Sequence, residues 1–366
     1  MMMDQQLQSL LSYEGGPTLS VYLDTDLSDK SKDAVRLMLR DQSAEFQPVA
    51  AQEIEAARRY LDFEYDWQSR GVALFVAEGE ILSVIPLAIA PNARVTYTER
   101  PNVRTLADVG SRLGKYDVAV LDRERLRLFS VAWGKIQSKT EALGEEVKHY
   151  KQGGWSAGRG RHSAGGHQRH EENLALRNLK DGIELIQQFT ESTGSRRLML
   201  GGSPEVLAQV KELMPKPLLE QIIGEFNVDV GTNVNEILER SLDVVQEVDL
   251  EMQKRCVEQA ITEASKGGLG VTGVQDTLFA LHEGRVRLLL VDETYHVSGY
   301  LCHECGSALM ERMEKCPLCQ GGPLDETPDV VNVSIHKAAE TGAEVSIVRE
   351  NADLLHAGGM AAITRY

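Results

Sequence analysis

Four of the five cysteines lie between positions 302 and 319, as Cys302-His303-Glu304-Cys305 and Cys316-Pro317-Leu318-Cys319, with ten residues between the pairs. This spacing constrains the chain more than any other feature. Two CxxC turns bring four thiolates onto one tetrahedral ion, the arrangement Zn²⁺ prefers at Zn–S distances of ~2.3 Å. The expected cofactor is therefore zinc, held by Cys302, Cys305, Cys316 and Cys319 in a ribbon over 300–323. Four thiolates close the coordination shell, which favours a structural ion over a catalytic one that keeps a water position. His303 stays open as a substitute ligand. Gly306 and Gly321-Gly322, just past the two knuckles, are placed to supply backbone with φ > 0. Cys256, remote from the cluster on an apolar helical stripe, reads as a small core residue.

A second segment breaks the chain's electrostatic pattern. Lys148–His170 holds five basic residues (Lys148, Lys151, Arg159, Arg161, Arg169), six glycines, four histidines and no acid, with Trp155 as its one large apolar side chain. The whole chain carries a net charge of −16, leaving −21 for the remainder. An acidic body argues against non-specific coating of nucleic acid, since phosphate affinity comes from dense positive charge. One basic element on such a body suits insertion into a confined RNA site. The segment cannot bury a core and is expected to be an exposed, mobile loop. Lys148, Lys151, Arg159, Arg161 and Arg169 are the candidate phosphate contacts, and Trp155 can stack on an unpaired base. A plain solvated linker is the alternative. His162, His167 and His170 on a glycine-rich segment make a poor pre-formed metal site. No GxxxxGK[ST] motif is present, and Gly201-Gly202-Ser203 reads as a helix cap.

Patterning along the rest of the chain predicts an α/β, multidomain protein. Thr18–Leu23, Gly71–Ala77 and Glu80–Ile85 read as strands, the last two joined at Glu78-Gly79, with one helical segment over about 32–60. Tyr116–Leu121 and the alternating residues 126–133 form a hairpin. A helix from near Glu171 carries Leu176, Leu179, Ile183 and Ile186 on one face. Arg197–Leu200 is a strand, followed by a helix capped by Ser203 with Pro204 in its first turn. A long helix over about 235–265 places Val245, Val248, Met252 and Cys256 on one stripe. Beyond it lie a helix over 273–281, a strand over 285–291, a helix over 329–341 and a strand over 344–348. The longest apolar stretches fall short of a membrane span and the first residues lack a secretory pattern, so a cytoplasmic protein is expected, with no membrane partner.

The residues then resemble a known superfamily. Lys151-Gln152-Gly153-Gly154-Trp155-Ser156-Ala157, leading into a charged helix, is similar to the Gly-Gly-Gln-Ser-Ala tip of archaeo-eukaryotic class-one peptide chain release factors. Gly273–Leu281, then Gly284-Arg285-Val286, the inserted zinc knuckles and the run Gly358–Tyr366 extend the similarity over about 115–366. The bacterial branch, Pelota-related and Balon-like, looks closest. The resemblance implies three domains: a mixed α/β N-terminal domain (1–112), an RNase H-like central domain carrying the loop (113–234), and an L30e-like C-terminal domain with the inserted ribbon (235–366).

It also implies a partner, the ribosome, with rRNA, the A site and a tRNA acceptor end within reach, and a translational GTPase as a possible second one. Two departures shape the expected activity. The superfamily's catalytic Gln aligns with Trp155, whose indole has one N–H donor and no acceptor to hold a water. Residues 1–112 lack an Asn-Ile-Lys-Ser codon-reading motif. Occupancy of the A site in hibernation or rescue is thus the leading expectation. Alternatives are peptidyl-tRNA hydrolysis, with Gly153, Gly154 and Trp155 as the candidate catalytic loop, and stand-alone RNA binding.

Overall fold

The computed structural model describes residues 5–143 and 164–366; the side chains of 5, 143 and 164–171 are also outside the description. It is a mixed α/β, multidomain protein with four sheets among the described residues. Chain contacts group 1–112 with 249–366 as one compact unit and 113–248 as the other.

In the first unit, alternation of apolar residues makes Thr18–Asp24 a central strand, paired antiparallel with Gly71–Ala77 and Arg94–Thr98; Glu80–Leu87 completes the sheet beside Gly71–Ala77. Glu78 and Gly79 both have positive φ (52° and 72°), the type I′ pair that matches the twist of a hairpin. Leu19, Val21, Leu23 and Leu74 bury one face against two helices, Lys32–Ser43 and Ala51–Phe63, through Val35, Leu39, Ile54 and Leu61. The single helix expected over 32–60 is therefore two, with a 3₁₀ turn at Ala44–Phe46 between them. Pro48 accounts for the break, because it lacks the N–H that a continuing helix needs.

A helix at Arg104–Arg112, not foreseen from the sequence, packs on the strand Glu344–Val348. Asp108 on it accepts both contacts from Arg349 Nη2, at 2.8 and 3.2 Å. The second sheet of this unit runs Gly270–Thr272, Met360–Thr364, Val286–Asp292, Glu344–Val348; only the last pair is parallel. Asp329 caps the helix Val330–Glu340 by accepting from Asn332 N. Gly359 precedes the strand Met360–Thr364 at φ +76°, and a Cβ there would lie 2.1 Å from the Tyr295 ring. Both the backbone and the packing demand glycine at this position.

The second unit holds a five-stranded sheet in the order Lys135–Leu143, Arg125–Ala132, Tyr116–Leu121, Leu198–Gly201, Ile222–Phe226. The first three strands are antiparallel and the last two run parallel to Tyr116–Leu121, an RNase H-like arrangement. One face is covered by the helices Ala164–Thr193 and Pro204–Leu213, with Leu179, Ile183 and Ile186 buried against Leu126, Leu128 and Leu200. Ser203 caps the second helix, accepting from Val206 N. Residues 237–245 of the helix Val234–Ser265 cover the other face.

Two apolar stripes differ from their sequence assignment. Leu176 is 41% exposed and Ala175 takes its place in the buried face. On the long helix, Met252 is 57% exposed, while Gln253, Val257 and Ala260 are buried. Gln253 Nε2 donates to Ile347 O at 3.1 Å, which lets a polar side chain occupy the stripe. Cys256 does pack beside the core that includes Val257, Leu290 and Ile363. Burial raises its thiol pKa, as befits an unreactive core residue.

Candidate metal centre and release-factor loop

The ribbon is a three-stranded sheet, with Gly299–Cys302 between Ala308–Leu309 and Leu324–Thr327. Each CxxC pair sits on a turn closed by a main-chain bond: Gly306 N donates to Cys302 O at 2.8 Å, and Gln320 N to Cys316 O at 2.9 Å. Gly306 has φ +66°, as its position suggested. At the second knuckle the left-handed residue is Gln320 (φ 61°), not Gly321 or Gly322. Gly321 serves packing instead, since a Cβ there would lie 2.3 Å from Glu304 Oε2 and 3.0 Å from Cys319 Sγ. Its N–H points at Cys319 Sγ, 3.4 Å away, the kind of contact that stabilises a thiolate.

The four sulfurs converge. Cys302 Sγ and Cys319 Sγ are 3.7 Å apart, Cys305 Sγ and Cys316 Sγ 3.8 Å, and all four lie within 4.8 Å of one another. The two shorter separations match the edge of a tetrahedron of sulfurs about a zinc ion. Cys302 and Cys316 are buried, with Leu324, Tyr300 and Leu318 around them. These residues fit a structural zinc. His303 stands outside the set and is exposed, its Nε2 2.7 Å from Asp325 Oδ2. The ribbon is fastened to the helix Val330–Glu340 by Lys337 Nζ, which donates to Cys305 O at 2.8 Å and approaches Glu340 Oε2 at 3.0 Å. Arg100 Nη1 pairs with the other Glu340 oxygen at 2.8 Å. Burial acts against the Glu340 charge, yet Arg100 and Lys337 hold its carboxyl below the usual range.

The loop residues Lys148, Lys151, Gly153, Gly154, Trp155, Arg159, Arg161 and His162 lie outside the described residues. Arg169, His167 and His170 fall in the helix Ala164–Thr193, with side chains outside the description. That helix begins within the segment expected to be all loop. Its last four turns are anchored by Leu179, Ile183 and Ile186.

Sequence reading missed one polar cluster, because its members are far apart in the chain. Arg104, 4% exposed, donates through Nη2 to Asp292 O and Glu293 O at 2.9 and 2.8 Å, and its Nη1 lies 3.0 Å from His296 Nδ1. The other ring nitrogen, Nε2, lies 3.3 Å from Arg94 Nη1. Burial, then Arg104 and Arg94, push the His296 pKa down. The only local hint was the density of Arg and His about residues 94–104 and 296, which carries no pairing information.

The described residues thus define a mixed α/β protein with a four-cysteine ribbon. Residues 101–246 match the model of "Bacterial archaeo-eukaryotic release factor family 10", a span that encloses the basic loop. Over part of its length the chain is similar to archaeo-eukaryotic peptide chain release factors, and it spans less than half the length of the curated relative it matches. It is 28% identical over 172 residues to "Peptide chain release factor subunit 1" of Archaeoglobus fulgidus, a match covering 42% of each chain. Among solved structures, it is similar to Archaeoglobus fulgidus Pelota (TM-score 0.33, 15% identity, 81% of this chain and 79% of that one). It is also similar to archaeal Pelota in a model of ribosome-bound Pelota and ABCE1 (TM-score 0.42, 13% identity, 99% and 92%). Among the described residues, no helix is long and apolar enough to cross a membrane.

Proposed function

We propose that this protein is a ribosome-associated translation factor that occupies the A site in hibernation or rescue and does not decode stop codons. The observation that carries the reading is the match over 101–246 to a bacterial release-factor family, a span enclosing the Gly153-Gly154-Trp155 loop. Lys148, Lys151, Arg159, Arg161 and Arg169 neutralise RNA phosphates, Trp155 stacks on a base, and the acidic remainder of the chain keeps binding confined to that element. Zinc bound by Cys302, Cys305, Cys316 and Cys319 rigidifies the ribbon and takes no part in chemistry. Partners are rRNA at the A site and a tRNA acceptor end, with a translational GTPase as delivery factor, in the cytoplasm.

The test is co-sedimentation of purified protein with vacant ribosomes, comparing wild type with a 153–163 deletion over a salt series. Loop-dependent binding that weakens with salt is expected. Binding that ignores both the deletion and salt would overturn the reading. Peptidyl-tRNA hydrolysis is the second reading, favoured by the retained Gly153-Gly154 pair. It requires ester cleavage that a bulky residue at either glycine abolishes, and Trp155→Gln would then raise the rate. Binding to free RNA equal to that on ribosomes would instead favour a stand-alone RNA-binding role.

A further inference from the structure

Arg104 dictates the chemistry of His296. A guanidinium only donates and a neutral ring accepts at one nitrogen, so the shorter of the two contacts, 3.0 Å from Arg104 Nη1, takes Nδ1 as the acceptor. A neutral ring then carries its hydrogen on Nε2. That hydrogen faces Arg94 Nη1, which also only donates, across 3.3 Å. Two N–H donors converge, with no acceptor between them among the described residues. Burial pushes the Arg104 pKa down and Arg94 adds to this, while Asp329, Asp292 and Asp108 favour its charge. Arg94 has no carboxylate partner among the described residues. Of the neighbouring acids, Asp292 Oδ1 accepts from Thr294 N and Oγ1 and Asp329 Oδ1 from Asn332 N, while Asp329 Oδ2 is buried without a hydrogen-bond partner and its charge favours a protonated His296 ring. His296 is exposed, so the pair is reached from solvent.

We propose that Arg94 and His296 form a binding site for a phosphate oxyanion, with Arg104 as the positioning residue that fixes the receiving tautomer. An anionic oxygen between them accepts from Arg94 Nη1 and from His296 Nε2, satisfying both donors with one charge-assisted contact. The ligand is either free phosphate or a backbone phosphate of RNA. The proposal goes beyond the ribosome reading and stands without it.

The full-length protein, labelled with ¹³C at histidine Cε1, tests it by NMR, with the His296 signal identified from a His296→Asn variant. Inorganic phosphate is titrated at constant ionic strength against chloride, and a short uridine oligonucleotide is titrated separately. The expected result is a saturable shift of the His296 signal, weakened at least tenfold by Arg94→Gln and partly restored by Arg94→Lys. Stronger response to the oligonucleotide assigns the site to RNA backbone, and response to phosphate alone assigns it to free phosphate. No saturable shift with either probe, or an equal shift in Arg94→Gln with an unchanged melting temperature, overturns the proposal. Ribosomes are absent from both arms, so failure here and failure of co-sedimentation are separate results. Arg104→Lys, which loses the planar fork, should move the ring to the other tautomer, visible in its ¹⁵N shifts.

Discussion

Replacing Cys316 with Ser removes one corner of the thiolate cluster, and the geometry sets the expected consequence. Edges of 3.7 and 3.8 Å place the centre of a regular tetrahedron about 2.3 Å from each sulfur. X-ray absorption on the wild-type protein should therefore show zinc with four sulfur neighbours at ~2.3 Å and one metal per chain. In Cys316→Ser, one sulfur is lost from the shell and a chelator should strip the metal far more readily. Structural zinc sites contribute on the order of 10–16 kcal/mol to folding of isolated zinc-finger peptides. Besides the metal, the ribbon strands rest on the small core of Cys302, Cys316 and Leu324 and, through Leu301 and Ala308, on Leu278, Val330 and Val333. Chelation should lower hydrogen-exchange protection most at the two knuckles, where Gly306 N and Gln320 N donate to Cys302 O and Cys316 O, while the core around Leu19 and Val21 keeps its own. Acid should do the same, because thiolate ligands compete with protons. A shell containing nitrogen or oxygen neighbours in the wild type, or undiminished protection after complete metal removal, would refute the structural-zinc argument.

Other perturbations follow from the same structure. Ile186, fully buried between helix and sheet, should cost about 2–5 kcal/mol when cut to Ala, read as a shifted denaturation midpoint. Gly359→Ala should destabilise by about 1–3 kcal/mol, since it adds left-handed strain to a clash with Tyr295; a change near zero would contradict the φ assignment. His336 is buried, with Nε2 2.8 Å from Pro101 O, and burial lowers its pKa, an effect that Arg100 reinforces and Glu340 opposes. A neutral buried ring contributes its full stability above the ordinary imidazole value of 6.5, and loses it as pH falls from there towards the lower folded pKa. His336→Gln should flatten the melting temperature against pH in that window.

Local signals were the legible part of this fold. Hairpins with paired positive-φ turns, the Ser203 cap and the CxxC spacing each depend on residues adjacent in the chain. Stripes failed where tertiary partners overrode hydrophobicity: Leu176 and Met252 lie outside the buried faces, and Gln253 is inside because Ile347 O receives it. The helix Arg104–Arg112 escaped because its buried side includes an arginine whose acceptors sit almost two hundred residues away. The same separation hid the contacts around His296. His303 was a reasonable alternative ligand by spacing alone, and only the positions of the four sulfurs and of Asp325 exclude it.

The strand Met360–Thr364 lies between Gly270–Thr272 and Val286–Asp292, both of which precede it in the chain. During synthesis those two strands wait for a middle neighbour made about 90 residues after the first, roughly 4–18 s at 5–20 residues per second. Until it arrives, they present unpaired edges that invite pairing with other chains. Vectorial synthesis thus leaves the edges of these two strands open until Met360–Thr364 is made, and a chaperone acting on nascent chains would have work to do there.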